Sequence, residues 1–217
     1  LVATLHDADG AVAVRGLASY DDATAEYAEE DLRADTGLLD GVRLTGRGSI
    51  ASRLWTQPSL TVIGMDVTST AEASNTLIPA CTVRLSLRVA PGQDPGEAAQ
   101  ALVRHLEENA PFGARVEASV EETGPAFKAA GDSPAASAGR WALARAWGRP
   151  PVDIGVGGSI PFIADLHDAF PEADILVTGV EDPDTRAHSQ NESLHLGDWR
   201  NAILAEALLL SRLAGQA

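Results

Sequence analysis

The chain has 217 residues, of which 45% are hydrophobic and 22% charged, the balance of a folded globular protein rather than a disordered one. Its 31 acidic residues against 16 lysines and arginines leave a formal net charge of -15, which repels phosphate backbones and anionic lipid and argues against nucleic acid or membrane as partners. No apolar run approaches the roughly 20 residues that span a bilayer and no basic-then-apolar leader opens the chain. The single cysteine, Cys81, cannot form an intrachain disulfide and reads as a small buried apolar residue of a cytoplasmic protein.

In chain order, Leu1–His6 reads as the last turns of a helix, which together with a first residue other than Met suggests a fragment. Asp7–Gly10 is a turn and Ala11–Val14 a short apolar run. Tyr20–Leu32 is acidic and alanine-rich and predicts a helix with solvated charges, where Asp21 and Asp22 read as caps. Ser49–Trp55 predicts a short helix and Leu60–Met65 a strand. Leu77–Val89 alternates, with Val83, Leu85, Leu87 and Val89 on one face and Arg84, Ser86 and Arg88 on the other. Asp94 before Pro95 is an N-cap signal for a helix running to Glu108, and Arg115–Val120 is a third alternating stretch. These elements predict an α+β module, an antiparallel sheet covered by helices.

Composition shifts at Thr123–Pro134, which places a domain crossing near Ala126 and divides the chain into residues 1–126 and 127–217. Beyond it the pattern alternates: helix Ala135–Trp147, strand Val152–Val156, helix Ile160–Asp168, strand Ile175–Thr178, and a closing helix Asp198–Leu213. That order predicts an α/β portion with a parallel or mixed sheet.

Two loops stand where strands of such a sheet would end, the usual place for reactive groups. Asp182–Glu192 carries His188 among turn formers, and neutral imidazole is the commonest metal ligand; taken alone, His188 also reads as a surface histidine bonded within its turn. Asn191 and Glu192 read as groups that orient the loop or cap the next segment. Gly157, Gly158 and Ser159 before Ile160-Pro161 place amides and a hydroxyl at a helix start, suited to a carboxylate or simply to an N-cap. No Gly-x-Ser-x-Gly pattern surrounds Ser159, which makes it a binding group rather than a nucleophile. Arg88 can grip a carboxylate at two points or lie solvated on its strand.

These blocks, with Tyr20-Asp21-Asp22, Pro58-Ser59-Leu60-Thr61-Val62, Asn75-Thr76-Leu77-Ile78-Pro79, Leu85–Gln93 and His188-Ser189-Gln190-Asn191-Glu192, resemble the dizinc metallopeptidase and deacylase family of carnosinase, succinyl-diaminopimelate desuccinylase and acetylornithine deacetylase. The likeness covers most of the chain and is greatest to the dipeptidase branch. It implies that His188 is the C-terminal zinc ligand, that Arg88 and Gly157, Gly158 and Ser159 hold the substrate carboxylate, and that Asn75 or Thr76 reaches the site across a homodimer. It further implies that residues 1–126 are most of a lid and dimerisation domain, ferredoxin-like in layout, followed by the C-terminal part of a catalytic domain. The substrate would be a small peptide or N-acyl amino acid, and the cofactor two zinc ions in the complete enzyme.

The departures are as specific. The family's His-x-Asp ligand pair, bridging aspartate, Glu-Glu pair and remaining acidic ligand precede the lid and are absent from this sequence, as is the lid histidine usually followed by Ser-Gly. One imidazole cannot hold two zinc ions, since a zinc site takes about three or four protein donors. The chain alone is therefore expected to be inactive. The competing expectation is a non-catalytic dimerisation or interaction module, which would not need Arg88, Ser159 and His188 together.

Overall fold

The computed structural model describes residues 1–129, 131–155 and 161–215. The chain divides into two compact units. The first holds Leu1–Thr24 and Arg43–Ala126 with Gly155; the second holds Ala25–Val42, Phe127–Ile154 and the helices beyond. Helix α1 (Glu29–Thr36) belongs to the second unit and helix α2 (Ile50–Trp55) to the first.

In the first unit, β1 (Ser59–Asp66) pairs antiparallel with β2 (Thr82–Arg88), with Ser59 opposite Arg88 and Asp66 opposite Thr82. The register slips between Val62 and Gly64, so Ile63 bulges out. Leu60 of β1 is buried in a cluster with Leu5, Val14 and Ala101, and Leu85, Leu87, Leu102 and Leu106 pack around it. The alternation read from Val83, Leu85 and Leu87 thus points its apolar face at that core. Helix α3 (Pro95–Glu108) starts as its sequence directs, Asp94 accepting the Glu97 amide at 2.8 Å with proline in the first turn.

The structure corrects the expected helix Tyr20–Leu32. Residues 20–28 are non-helical, and α1 begins only at Glu29 and closes on Gly37 at φ 62°. The Tyr20 carbonyl, which a helix would bond to the amide four residues on, accepts the Thr56 hydroxyl instead (2.8 Å), and further bonds fix residues 20–23 against the α2 segment. Tyr20 donates its amide to the Thr56 carbonyl (3.1 Å), Ala23 donates to Ser52 Oγ (3.1 Å), and the Asp21 carboxylate accepts the Ser49 amide (2.9 Å). Asp21 therefore caps α2 from across the chain, with Ser49 as its own N-cap, and Asp22, Glu26 and Glu30 repel at helical spacing. Helix α1 begins where Glu29, Glu30 and Asp31 face its positive end.

The expected strand Leu77–Val89 begins only at Thr82, and Leu1–His6 holds a single 3-10 turn at Val2–Thr4. Arg115–Val120 is not a strand and makes no ladder with β2; Glu121, just beyond it, pairs with Arg84 of β2. Cys81 is exposed, not buried, because β2 starts one residue beyond it.

The second unit is helical among its described residues. Helices α4 (Pro134–Trp147) and α6 (Leu196–Leu213) pack together, with Ala136, Ala138 and Ala142 of α4 and Ala205 of α6 buried, and α5 spans Pro161–Ala169. Arg212 lies 4.4 Å over the Trp141 ring, and Trp147 Nε1 donates to Asp198 Oδ1 at 2.9 Å. Residues 152–155 and 175–178 form no strands, so the expected parallel sheet is absent among the described residues. Apolar runs name segments that can be buried in a sheet; the neighbours that would pair with them are another matter.

Leu60 is 4% exposed and Leu77 93% exposed. Leu60→Ala should cost about 2 to 5 kcal/mol in chemical denaturation and Leu77→Ala close to nothing, a difference that checks the placement of the core.

Candidate site in the Asp182–Ser193 loop

The loop that bears His188 is closed by its own backbone. Asp182 donates its amide to Thr185 Oγ1 (2.9 Å) and accepts the Thr185 amide at its carbonyl (3.1 Å). The Thr185 carbonyl accepts the Ser193 amide (2.9 Å), joining the two ends. The Ser189 amide donates to the Arg186 carbonyl (3.0 Å), and the His188 amide to Glu192 Oε2 (3.3 Å). Thr185 is buried, while His188 is exposed. Arg186, His188 and Asn191 have left-handed backbones, at φ 56°, 62° and 59°.

The other candidates are distributed between the units. Arg88 ends β2 with an exposed side chain that makes no hydrogen bond or ion pair among the described residues. Asn75 and Thr76 lie exposed in the long β1–β2 connection, where the Thr76 amide donates to Ser74 Oγ at 3.3 Å. Both positions belong to the first unit and His188 to the second. Gly157, Gly158 and Ser159 lie outside the described residues. A depression of about 290 Å³ in the first unit, lined by His6, Leu17, Arg53, Gln57 and Ser59 among others, includes none of these candidates.

One cluster was not foreseen. Asp182, His195 and Asp198 bring ligand atoms within 4.8 Å of one another, the one such group among the described residues. Its sequence signal was His-x-x-Asp at the start of α6, and its third member comes only from folding. His195 Nδ1 lies 2.7 Å from Asp198 Oδ2 and 3.3 Å from the Asp198 amide. The two contacts make opposite demands on that nitrogen; the shorter, to a carboxylate, calls for a proton on Nδ1, and the longer is then no hydrogen bond. The indole N–H of Trp147, aided by His195, holds the Asp198 carboxyl below its ordinary value of 3.8. Asp182 Oδ1 in turn accepts the Asp184 amide at 2.8 Å. The three side chains thus brace the start of α6 and of the loop.

His188 is not a member of that cluster. A zinc ion takes about three or four protein donors, and His188 brings one, so the described residues do not by themselves complete a zinc centre around it. The remaining histidines have structural settings. His105 Nε2 lies 3.0 Å from Thr4 Oγ1, whose proton goes to the Leu1 carbonyl; His167 packs against Phe127 at 5.8 Å; His6 is exposed beside Val12.

No protein-family model matches the sequence. A cysteinylglycine-S-conjugate dipeptidase of Corynebacterium striatum is 30% identical over 97% of this chain and 47% of its own length. The chain is homologous to the family's dipeptidases. The homology bears out the likeness read from the sequence motifs, at the level of family. The fold agrees with human carnosine dipeptidase 1 (TM-score 0.79, 19% identity, 99% of this chain and 48% of that one). It agrees as well with the dipeptidase Dug1p of Saccharomyces cerevisiae (TM-score 0.74, 23% identity, 96% and 46%). The chain spans about half the length of each relative it matches.

Asp198 tests the electrostatics of this dipeptidase homologue. A depressed carboxyl pKa contributes stability that is present above the ordinary 3.8 and lost as pH falls towards the folded value. Trp147→Phe should move the Asp198 pKa back towards 3.8 in a carboxyl NMR titration and weaken the acid dependence of unfolding below about pH 4.

Proposed function

We propose that this chain is part of a zinc-dependent, dipeptidase-like hydrolase that cleaves the amide bond of dipeptides or N-acyl amino acids beside a free carboxylate. The observation that carries the reading is the 30% identity to a cysteinylglycine-S-conjugate dipeptidase over 97% of this chain. In this reading residues 1–126 are most of a ferredoxin-like lid and dimerisation domain, and residues 127–217 the C-terminal part of a catalytic domain. His188 supplies one zinc ligand. Arg88 grips the substrate carboxylate in two-point fashion, and Gly157, Gly158 and Ser159 offer it amides and a hydroxyl. The remaining zinc donors and the glutamate base precede the lid in this family, so hydrolysis belongs to the complete protein and this chain alone is inactive. The location is cytoplasmic, where the exposed thiol of Cys81 stays reduced.

Asn75 or Thr76 acts from a second copy. The hairpin register supports this role: the connection carrying both residues leaves from the Asp66–Thr82 end, while Arg88 sits opposite Ser59 at the other, about 20 Å along the strands. A homodimer through the lid lets one copy's connection approach the other's Arg88. Exposed Val62, Ile63 and Met65 on β1 are apolar surface that such an interface would cover.

Zinc content after exhaustive dialysis, measured by elemental mass spectrometry beside a dipeptide hydrolysis assay, tests the reading. The chain alone should hold substoichiometric zinc and hydrolyse nothing. Joined in one polypeptide to the N-terminal half of the Corynebacterium striatum relative, it should bind about two zinc ions and hydrolyse dipeptides, and His188→Ala should lower the zinc content. A folded fusion that binds no zinc, or whose zinc content ignores His188, overturns it.

A further inference from the structure

A side chain at the tip of a loop serves a site only when its own backbone is held. In residues 186–191 the chain takes the left-handed conformation at Arg186, His188 and Asn191, none of them glycine. Asparagine accepts this conformation through local hydrogen bonds and histidine is found there more often than most residues, but for arginine it is plainly unfavourable. Such backbones persist where their surroundings over-determine them.

Two side chains in the loop do that. Thr185, 4% exposed, bonds to Asp182 through its hydroxyl and its amide and to Ser193 through its carbonyl, which clamps both ends of the segment. Glu192 reaches back from the far side and accepts the His188 amide at 3.3 Å. That bond spans the left-handed positions at His188 and Asn191, so the bond and the backbone conformation support each other. We propose that Thr185 and Glu192 are positioning residues that preset the His188 backbone, and with it the direction of the imidazole, before any ligand arrives. The inference rests on the reading of His188 as the imidazole of the site; the bonds themselves do not.

Hydrogen exchange of backbone amides, with the three-bond HN–Hα coupling of His188, tests this on the chain as it is. Glu192→Ala should speed exchange at His188 by about tenfold and move its coupling away from the left-handed value, while Ala205 in α6 is unaffected. Glu192→Gln, which keeps an acceptor, should restore protection. Thr185→Val should speed Asp182, His188 and Ser193 together, and Thr185→Ser should not. Unchanged exchange at His188 in Glu192→Ala overturns the proposal, and so does a rise shared equally by Ala205, which would mean general loosening. Neither metal nor substrate enters these readouts, so their failure leaves the dipeptidase reading intact, and a zinc-free fusion would leave them intact.

Discussion

Alanine is the residue on which both units close. Of the eleven buried hydrophobic side chains among the described residues, eight are alanines: Ala51, Ala90, Ala98, Ala101, Ala136, Ala138, Ala142 and Ala205. A methyl group removes little apolar area from water but lets backbones approach closely. Many larger apolar side chains are exposed, among them Phe162, Phe170, Trp199, Ile203 and Leu210 in the second unit and Ile63, Met65, Val67 and Leu77 in the first. A thin core of this kind makes caps and cross-links matter, and they are abundant.

Those cross-links join groups distant in sequence, through a polar side chain that meets either a backbone group or another side chain. Asp21 caps α2 through Ser49, Arg47 bridges Asp7 and Asp9 across the first turn, and Gln93 accepts the Ala18 amide while donating to the Gly16 carbonyl. In the second unit Trp147 and Arg212 join α4 to α6, the first through Asp198 and the second over the Trp141 ring. The Asp182–Ser193 loop repeats the device at small scale with Thr185. The candidate imidazole thus sits in a segment organised by hydrogen bonds rather than by hydrophobic burial, which suits an exposed group that must keep its direction.

The distribution of candidate residues follows from the same architecture. Arg88 is placed by a strand whose other face enters the core, Asn75 and Thr76 by a connection with no packing of its own, and His188 by a self-closed loop. A complete hydrolytic centre needs donors beyond these, and the homologous dipeptidase is about twice as long as this chain. The Asp182, His195 and Asp198 cluster braces a helix start and a turn.

What the sequence by itself determined was local: caps, periodic faces and motifs. Asp94 with Pro95 was legible as a helix start because capping depends on neighbours within one turn, and the β2 alternation was legible because its period alone assigns faces. The family likeness was legible for a related reason, since short blocks such as His188–Glu192 keep their spacing whatever surrounds them. Only the tertiary structure decided that Tyr20–Ala28 is not helical, with the bonds of residues 20–23 going to Ser49, Ser52 and Thr56; that Arg115–Val120 forms no ladder; and that Asp182 meets His195 and Asp198. Each of these depends on a partner distant in sequence, and neither propensity nor periodicity carries information about who that partner is.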